Sequence, residues 1–183
     1  MVGLGGGSMA KFCRRRFPDC HITVLELRTD VIALRDQFMV PPDDERLRVI
    51  HADAAAWMAA AARNGGAIAD VIVVDGFDAA GLPPALSSRP FYEDCRRLLQ
   101  PDGVLVANVF SYDRRRAEVL DALDRAFDGR TCRLDKVAGN NHILFTAAGA
   151  DGHAARVLRR PPLWNRLCIR LNLIRMAWRS VFG

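Results

Sequence analysis

Apolar positions along the first 147 residues of this 183-residue chain follow two periods that alternate with each other. Short β-branched and aliphatic runs, Ile22-Thr23-Val24-Leu25-Glu26, Leu47-Arg48-Val49-Ile50, Val71-Ile72-Val73-Val74-Asp75 and Val104-Leu105-Val106-Ala107, predict buried strands. Between them the spacing predicts helices near 8–17, 29–39, 53–63, 88–99 and 112–127. Segments near 130–136 and 141–147 predict a closing strand pair that turns around Gly139-Asn140-Asn141. Strands alternating with helices imply right-handed crossovers and an α/β fold, a doubly wound, mostly parallel sheet. A glycine-rich loop begins at residue 3, so only Met1 and Val2 are left for the first strand, which lies centrally in such a sheet. The fold is therefore expected to be N-terminally truncated, with an α/β domain over 1–149 and a tail over 150–183.

The tail has a pattern of its own. On a helical wheel Leu163, Trp164, Leu167, Leu171, Ile174, Trp178, Val181 and Phe182 share one face, and Arg166, Arg170, Arg175 and Arg179 lie off it. Pro161-Pro162 marks a hinge before this predicted helix. Two readings stand. Residues 163–182 form a basic amphipathic helix for a membrane surface or a protein partner, or a terminal helix that packs on the body of the fold.

Charge changes the picture only after it is mapped. The net +5 arises from 26 basic and 21 acidic side chains. Residues 152–183 hold seven of the arginines and no acid, which leaves 19 basic and 21 acidic residues in the body, a balance of −2. A nucleic-acid-binding body is disfavoured. Half of the residues are hydrophobic, enough for a core, yet no run reaches the ~18 apolar residues of a membrane span. The glycine-rich start does not read as a signal peptide, which favours the cytoplasm. The five cysteines form no C-x-x-C pair and read as inert thiols, and no His or Cys has metal-ligand spacing, so no metal is expected. Arg14-Arg15-Arg16 and Arg114-Arg115-Arg116 read as solvated helix faces, Trp57 and Phe91 as core aromatics.

The chemistry sits at strand ends. Gly3-Leu4-Gly5-Gly6-Gly7-Ser8 joins the first strand to a helix, and glycines there let a ligand approach the main chain. No Gly-Lys-Ser/Thr follows, so the loop is not a P-loop. Glu26 ends the next strand about 20 residues on, placed to accept both hydroxyls of a ribose. Asp53, in His51-Ala52-Asp53-Ala54, is placed to accept from an adenine amino group while the next backbone N–H faces a ring nitrogen. Asp75 ends the most apolar strand. A glycine loop followed by Glu, Asp and Asp after successive strands describes an S-adenosyl ligand across the carboxyl ends of the sheet, the S-adenosylmethionine-dependent methyltransferase (Rossmann-like) type of fold.

Further motifs narrow the family. They are Gly3-Leu4-Gly5-Gly6-Gly7, Val24-Leu25-Glu26-Leu27, His51-Ala52-Asp53-Ala54 and Asp70-Val71-Ile72-Val73-Val74-Asp75-Gly76-Phe77-Asp78, then Gly81-Leu82-Pro83-Pro84, Phe91-Tyr92 and Leu98 through Val106. In this order, from Gly3 to about Phe110, the chain resembles the spermidine synthase (polyamine aminopropyltransferase) family. The resemblance implies a transferase that uses decarboxylated S-adenosylmethionine or S-adenosylmethionine and an amine or polyamine acceptor. It implies that Gly3, Gly5, Gly7 and Ser8 line the cofactor, that Glu26 holds its ribose and Asp53 with Ala54 its adenine. Asp75 would be the proton acceptor, also beside the cofactor, and Asp78 would fix the amine.

The pairing is chemically sensible. An alkylamine with a pKa near ~10 is protonated at neutral pH, so a carboxylate must take a proton before nitrogen can attack carbon. A second carboxylate orients the cationic chain. Two departures bear on the reaction. Ser8 stands where the family carries an Asp after the glycines, and without that carboxylate intact S-adenosylmethionine is admitted and methyl transfer becomes the alternative. The family also places a small β-stranded domain before the loop, which walls the polyamine site and builds a homo-oligomer. The chain has no room for it, so a non-catalytic binding module is the third reading.

Overall fold

A computed structural model of the chain describes residues 1–78, 81–137 and 141–149, without the side chains of 134–137. The tail 150–183, with the predicted helix over 163–182, lies outside the described residues.

Among the described residues six strands and five α-helices follow the predicted order: α1 (Ser8–Arg16), β1 (Ile22–Glu26), α2 (Thr29–Ala33), β2 (Leu47–His51), α3 (Ala54–Asn64), β3 (Ala69–Val74), α4 (Arg89–Leu98), β4 (Leu99–Phe110), α5 (Arg116–Ala126), β5 (Thr131–Val137) and β6 (Asn141–Ala147). β1 and β2 pair in parallel, as do β3 and β4, whereas β6 runs antiparallel to both β4 and β5. The short first strand does not interrupt the sheet. Val2 bridges Leu25 of β1 and Val74 of β3. Four backbone hydrogen bonds hold it there: Val2 N–H to Val73, Gly3 N–H to Leu25, Leu25 N–H to Met1 and Asp75 N–H to Val2. The strand order is thus β2-β1-Val2-β3-β4-β6-β5.

The alternation of side chains across the sheet separates two cores. Ile72 and Val74 of β3, Leu105, Ala107 and Val109 of β4 and Leu144 of β6 face the layer of α3, α4 and α5, where Tyr92, Cys95, Leu123 and Phe127 are buried. Phe91 is buried there, and Trp57 packs against it partly exposed. On the other face Ile22, Val24, Leu47 and Val40 pack with Ala10 of α1.

Three elements depart from their predicted lengths. α2 stops at Ala33 instead of continuing to 39, because the chain turns through Leu34–Met39, with Met39 at φ 53°, to deliver Val40 into the smaller core against Gly7. Packing overrides helix propensity there. α5 starts at Arg116, since Asp113 holds residues 112–115 as a turn by accepting from the N–H of Arg115 at 2.8 Å. β4 extends well beyond 104–107, matched by β6 from Val104 to Phe110.

Within the Arg14-Arg15-Arg16 run, Arg15 and Arg16 are exposed and Arg14 is half-buried in an ion pair. Arg14 forms a bidentate pair with Asp44, whose Oδ1 also accepts from the N–H groups of Arg46 and Leu47 at 2.9 and 2.8 Å. The pair ties α1 to the start of β2, and the Arg14 guanidinium holds the Asp44 carboxyl well below its ordinary value. A depressed carboxylate adds stability above its unfolded pKa and loses it as pH falls through the folded one. Asp44→Asn is expected to lower the thermal midpoint at pH 7 by a few degrees. Melts repeated at decreasing pH should show that deficit constant down to the unfolded value of 3.8 and shrinking below it. A deficit that persists unchanged in acid would remove the carboxylate as its source.

Candidate active site

Because Val2 lies between β1 and β3, the glycine loop, Glu26 and Asp75 emerge side by side from the carboxyl edge of the sheet. The loop is held from both sides. Gly3, at φ +91°, abuts the Asp75 backbone so closely that a Cβ would lie 2.5 Å from the Asp75 carbonyl oxygen, so only glycine fits. Gly5, at φ +49°, has open space where a Cβ would be, and its main chain can be approached closely. Gly7 precedes the first residue of α1, Ser8, which is exposed.

Glu26 is buried and clamps this loop to the sheet. Its Oε2 accepts from the N–H of Leu4 at 2.8 Å and its Oε1 from the N–H of Arg28 at 2.9 Å. Each oxygen retains a further lone pair. Asp53 caps α3, with Oδ1 accepting from the N–H groups of Ala55 and Ala56. Ala54 is the first residue of that helix, so its N–H has no intrahelical acceptor.

Asp75 is exposed at the end of β3. The Asn108 side-chain N–H donates to its Oδ1 at 2.8 Å, and the Asn108 Oδ1 is buried without a partner among the described residues. A cavity of about 230 Å³ joins Asp75 to the glycine loop, lined also by Ser8, Met9 and Val73. Asp78 lies three residues on, where its backbone exchanges hydrogen bonds with Gly81 at 3.0 and 3.2 Å. Next to Gly81, Asp113 accepts from the N–H of Leu82 at 2.9 Å. Beside it, the rings of Phe77 and Phe110 approach to 4.2 Å, and Tyr112 stacks on Phe110 at 5.3 Å. The structure thus gathers Gly3, Gly5, Ser8 and Asp75 round one cavity, with Glu26 behind the loop, whereas Gly7 lies outside its lining, against Val40. Asp53 and Ala54 stand at the neighbouring strand end, and Asp78 lies on the loop leaving β3.

Asn108, Asp113 and the aromatic stack were not predicted. A lone amide inside Val104–Phe110 was the available signal for the first, since a polar side chain in a half-buried strand needs a partner. Among the described residues no group of three or more His, Cys, Asp and Glu could hold a metal. Burial pushes the Cys95 thiol far above its ordinary value, which removes it as a nucleophile.

Residues 4–124 match the family model of the spermine/spermidine synthase domain. The chain belongs to that family. Within it, a polyamine aminopropyltransferase of Neisseria meningitidis serogroup A is 36% identical over 141 residues, 76% of this chain and 52% of the relative. The chain therefore spans about half the length of such curated relatives. An eEF1A lysine and N-terminal methyltransferase of Xenopus laevis is 32% identical over 134 residues, 69% of this chain and 19% of that protein. Among solved structures, human methyltransferase-like protein 13 in complex with SAH superposes with a TM-score of 0.75 at 26% identity, covering 95% of this chain and 78% of that one. The spermine/spermidine synthase match takes in all the predicted site residues except Gly3.

Glu26→Gln tests the clamp. A glutamine has one carbonyl oxygen for two backbone donors and turns its own N–H groups on the other, so about 2 kcal/mol of stability is expected to be lost in urea unfolding. Asp53→Asn, which keeps a good cap, should lose far less. Equal losses would mean that neither value reports on the loop.

Proposed function

We propose that the chain is a spermidine synthase-like transferase that binds an S-adenosyl co-substrate across the glycine loop and transfers its aminopropyl group to an amine or polyamine. The observation that carries this reading is Asp75, pinned by Asn108 in the same cavity as the glycine loop.

The residues present fit the S-adenosyl group. Glu26, anchored by two backbone donors, keeps lone pairs for ribose hydroxyls. Asp53 keeps Oδ2 for an exocyclic amine, with the Ala54 N–H beside it for a ring nitrogen. Gly5 leaves the loop open to close approach. When bound, the group supplies an electrophilic carbon next to a sulfonium, already a good leaving group.

What remains for the protein is to free a nitrogen lone pair and hold it in line. Asp75 takes the proton from the acceptor's ammonium, a new N–C bond forms as the C–S bond breaks, and the thioether leaves neutral. The Asn108 amide holds the carboxylate in position through the step. Asp78 orients the cationic acceptor chain. In-line positioning supplies most of the remaining acceleration.

Methyl transfer from intact S-adenosylmethionine is the second reading. It rests on Ser8, which presents no carboxylate to the cofactor, and on the similarity to the Xenopus methyltransferase. Calorimetric titration with the two forms separates the readings. A preference of about tenfold, ~1.4 kcal/mol, for the decarboxylated form supports aminopropyl transfer, and the opposite preference supports methyl transfer.

Asp75→Asn is expected to cut turnover about a hundredfold or more while cofactor affinity stays within about threefold. Unchanged turnover would remove Asp75 as the proton acceptor. Absence of turnover in both forms would leave a binding module.

A further inference from the structure

The carboxylate that stands ready for a ribose is itself held by a peptide group, and a side chain of the neighbouring strand holds that peptide. Glu26 Oε1 accepts from the N–H of Arg28 at 2.9 Å. This N–H and the carbonyl of Leu27 belong to one planar trans peptide unit and point in opposite directions. The carbonyl meets the imidazole of His51, whose Nε2 lies 2.9 Å from the Leu27 oxygen. A carbonyl oxygen only accepts, so Nε2 carries the proton. Two hydrogen bonds thus run in series from His51, through the Leu27–Arg28 peptide, to the Glu26 carboxylate.

Register brings His51 there. β1 and β2 are parallel with Glu26 opposite His51 at their carboxyl ends, and the N–H of Ala52 donates to the Glu26 carbonyl at 3.0 Å. Asp53, two residues beyond His51, caps α3, so His51 stands between the two acids read as holding ribose and adenine. The Arg28 guanidinium also pairs with Asp30, but both side chains are exposed, and such a pair contributes little in water. His51 is exposed as well, so without its imidazole water can replace it on the Leu27 carbonyl. The peptide is then free to turn about the Leu27 ψ and Arg28 φ angles, which carries its N–H away from Glu26. Oε2 would keep the Leu4 N–H, and the carboxylate could swing about that one anchor.

We propose that His51 is a positioning residue for the co-substrate. By fixing the Leu27–Arg28 peptide it sets the Glu26 carboxylate in the orientation that receives the ribose hydroxyls. The inference rests on the reading of Glu26 as the ribose-holding group, and it makes that recognition depend on a side chain that acts without touching the ligand.

Calorimetric titration of the full chain with S-adenosylhomocysteine and with its 2′,3′-dideoxy analogue tests it. The unsubstituted chain is expected to favour the ligand that carries the hydroxyls. His51→Ala should cut that preference about tenfold, with affinity for the dideoxy analogue kept within about twofold. His51→Gln, whose side-chain amide can donate from nearly the place of Nε2, should restore it. Both affinities are read on one protein, so a general loss of stability would weaken the two ligands alike and leave their ratio unchanged. An unchanged ratio in His51→Ala would overturn the proposal and leave the role of Glu26 intact. A glutamine variant as impaired as the alanine one would overturn the hydrogen bond as the cause. An unsubstituted chain that binds neither ligand, or both equally, would remove the ribose reading of Glu26 and the proposal with it.

Discussion

The structure depends on the three residues Met1–Gly3 being bonded on both sides. Val2 accepts and donates backbone hydrogen bonds to β3, while Met1 and Gly3 bond β1, so two parallel pairs of strands become one sheet. A strand of ordinary length would add more ladder bonds, yet the central position makes even this one effective, because its side chain is buried in the larger core and its backbone groups are satisfied. The same insertion fixes the chemistry. It sets the glycine loop between the ends of β1 and β3, and so places Glu26 on one side of the loop and Asp75 on the other.

Each acid of the site already has a structural task. Glu26 joins loop to strand end, Asp53 caps α3, and Asp75 takes the Asn108 amide. These partners are all donors, and each carboxylate keeps further lone pairs as an acceptor. They also lock the side chains before any ligand arrives, so little rotamer entropy remains to be lost on binding. The exception is the orphaned Oδ1 of Asn108, a buried acceptor left for a donor that the described residues do not provide.

Much of this was legible in the sequence because it is local. β-Branched runs mark β1 to β4, and acids directly after such runs mark strand ends in a parallel sheet. The glycine loop and Glu26 could be related by spacing alone. What was not legible is what tertiary contact decides. Two residues can serve as a central strand only where both neighbours accept them, and no periodicity reports that. α2 ends early because Val40 has to reach the smaller core, against the helical tendency of its sequence. Asn108 and Asp113 act across 33 and 31 residues of chain, on Asp75 and Leu82, distances over which sequence pattern carries no pairing information.

The asymmetry of the two sheet faces links fold to site. The larger core is sealed by three helices and reaches the candidate site through Ala54, which is buried in it, and Phe77, which packs against it. Asp75, Asn108 and Phe110 all project from the other face, on the side of Val73, Val106 and Ile143. Asp75 is exposed there, so bulk water lies on one flank and screens its charge. The face of β3 and β4 that carries Asp75 therefore sets the electrostatics of that carboxylate, through the solvent it admits, as well as the packing of the sheet.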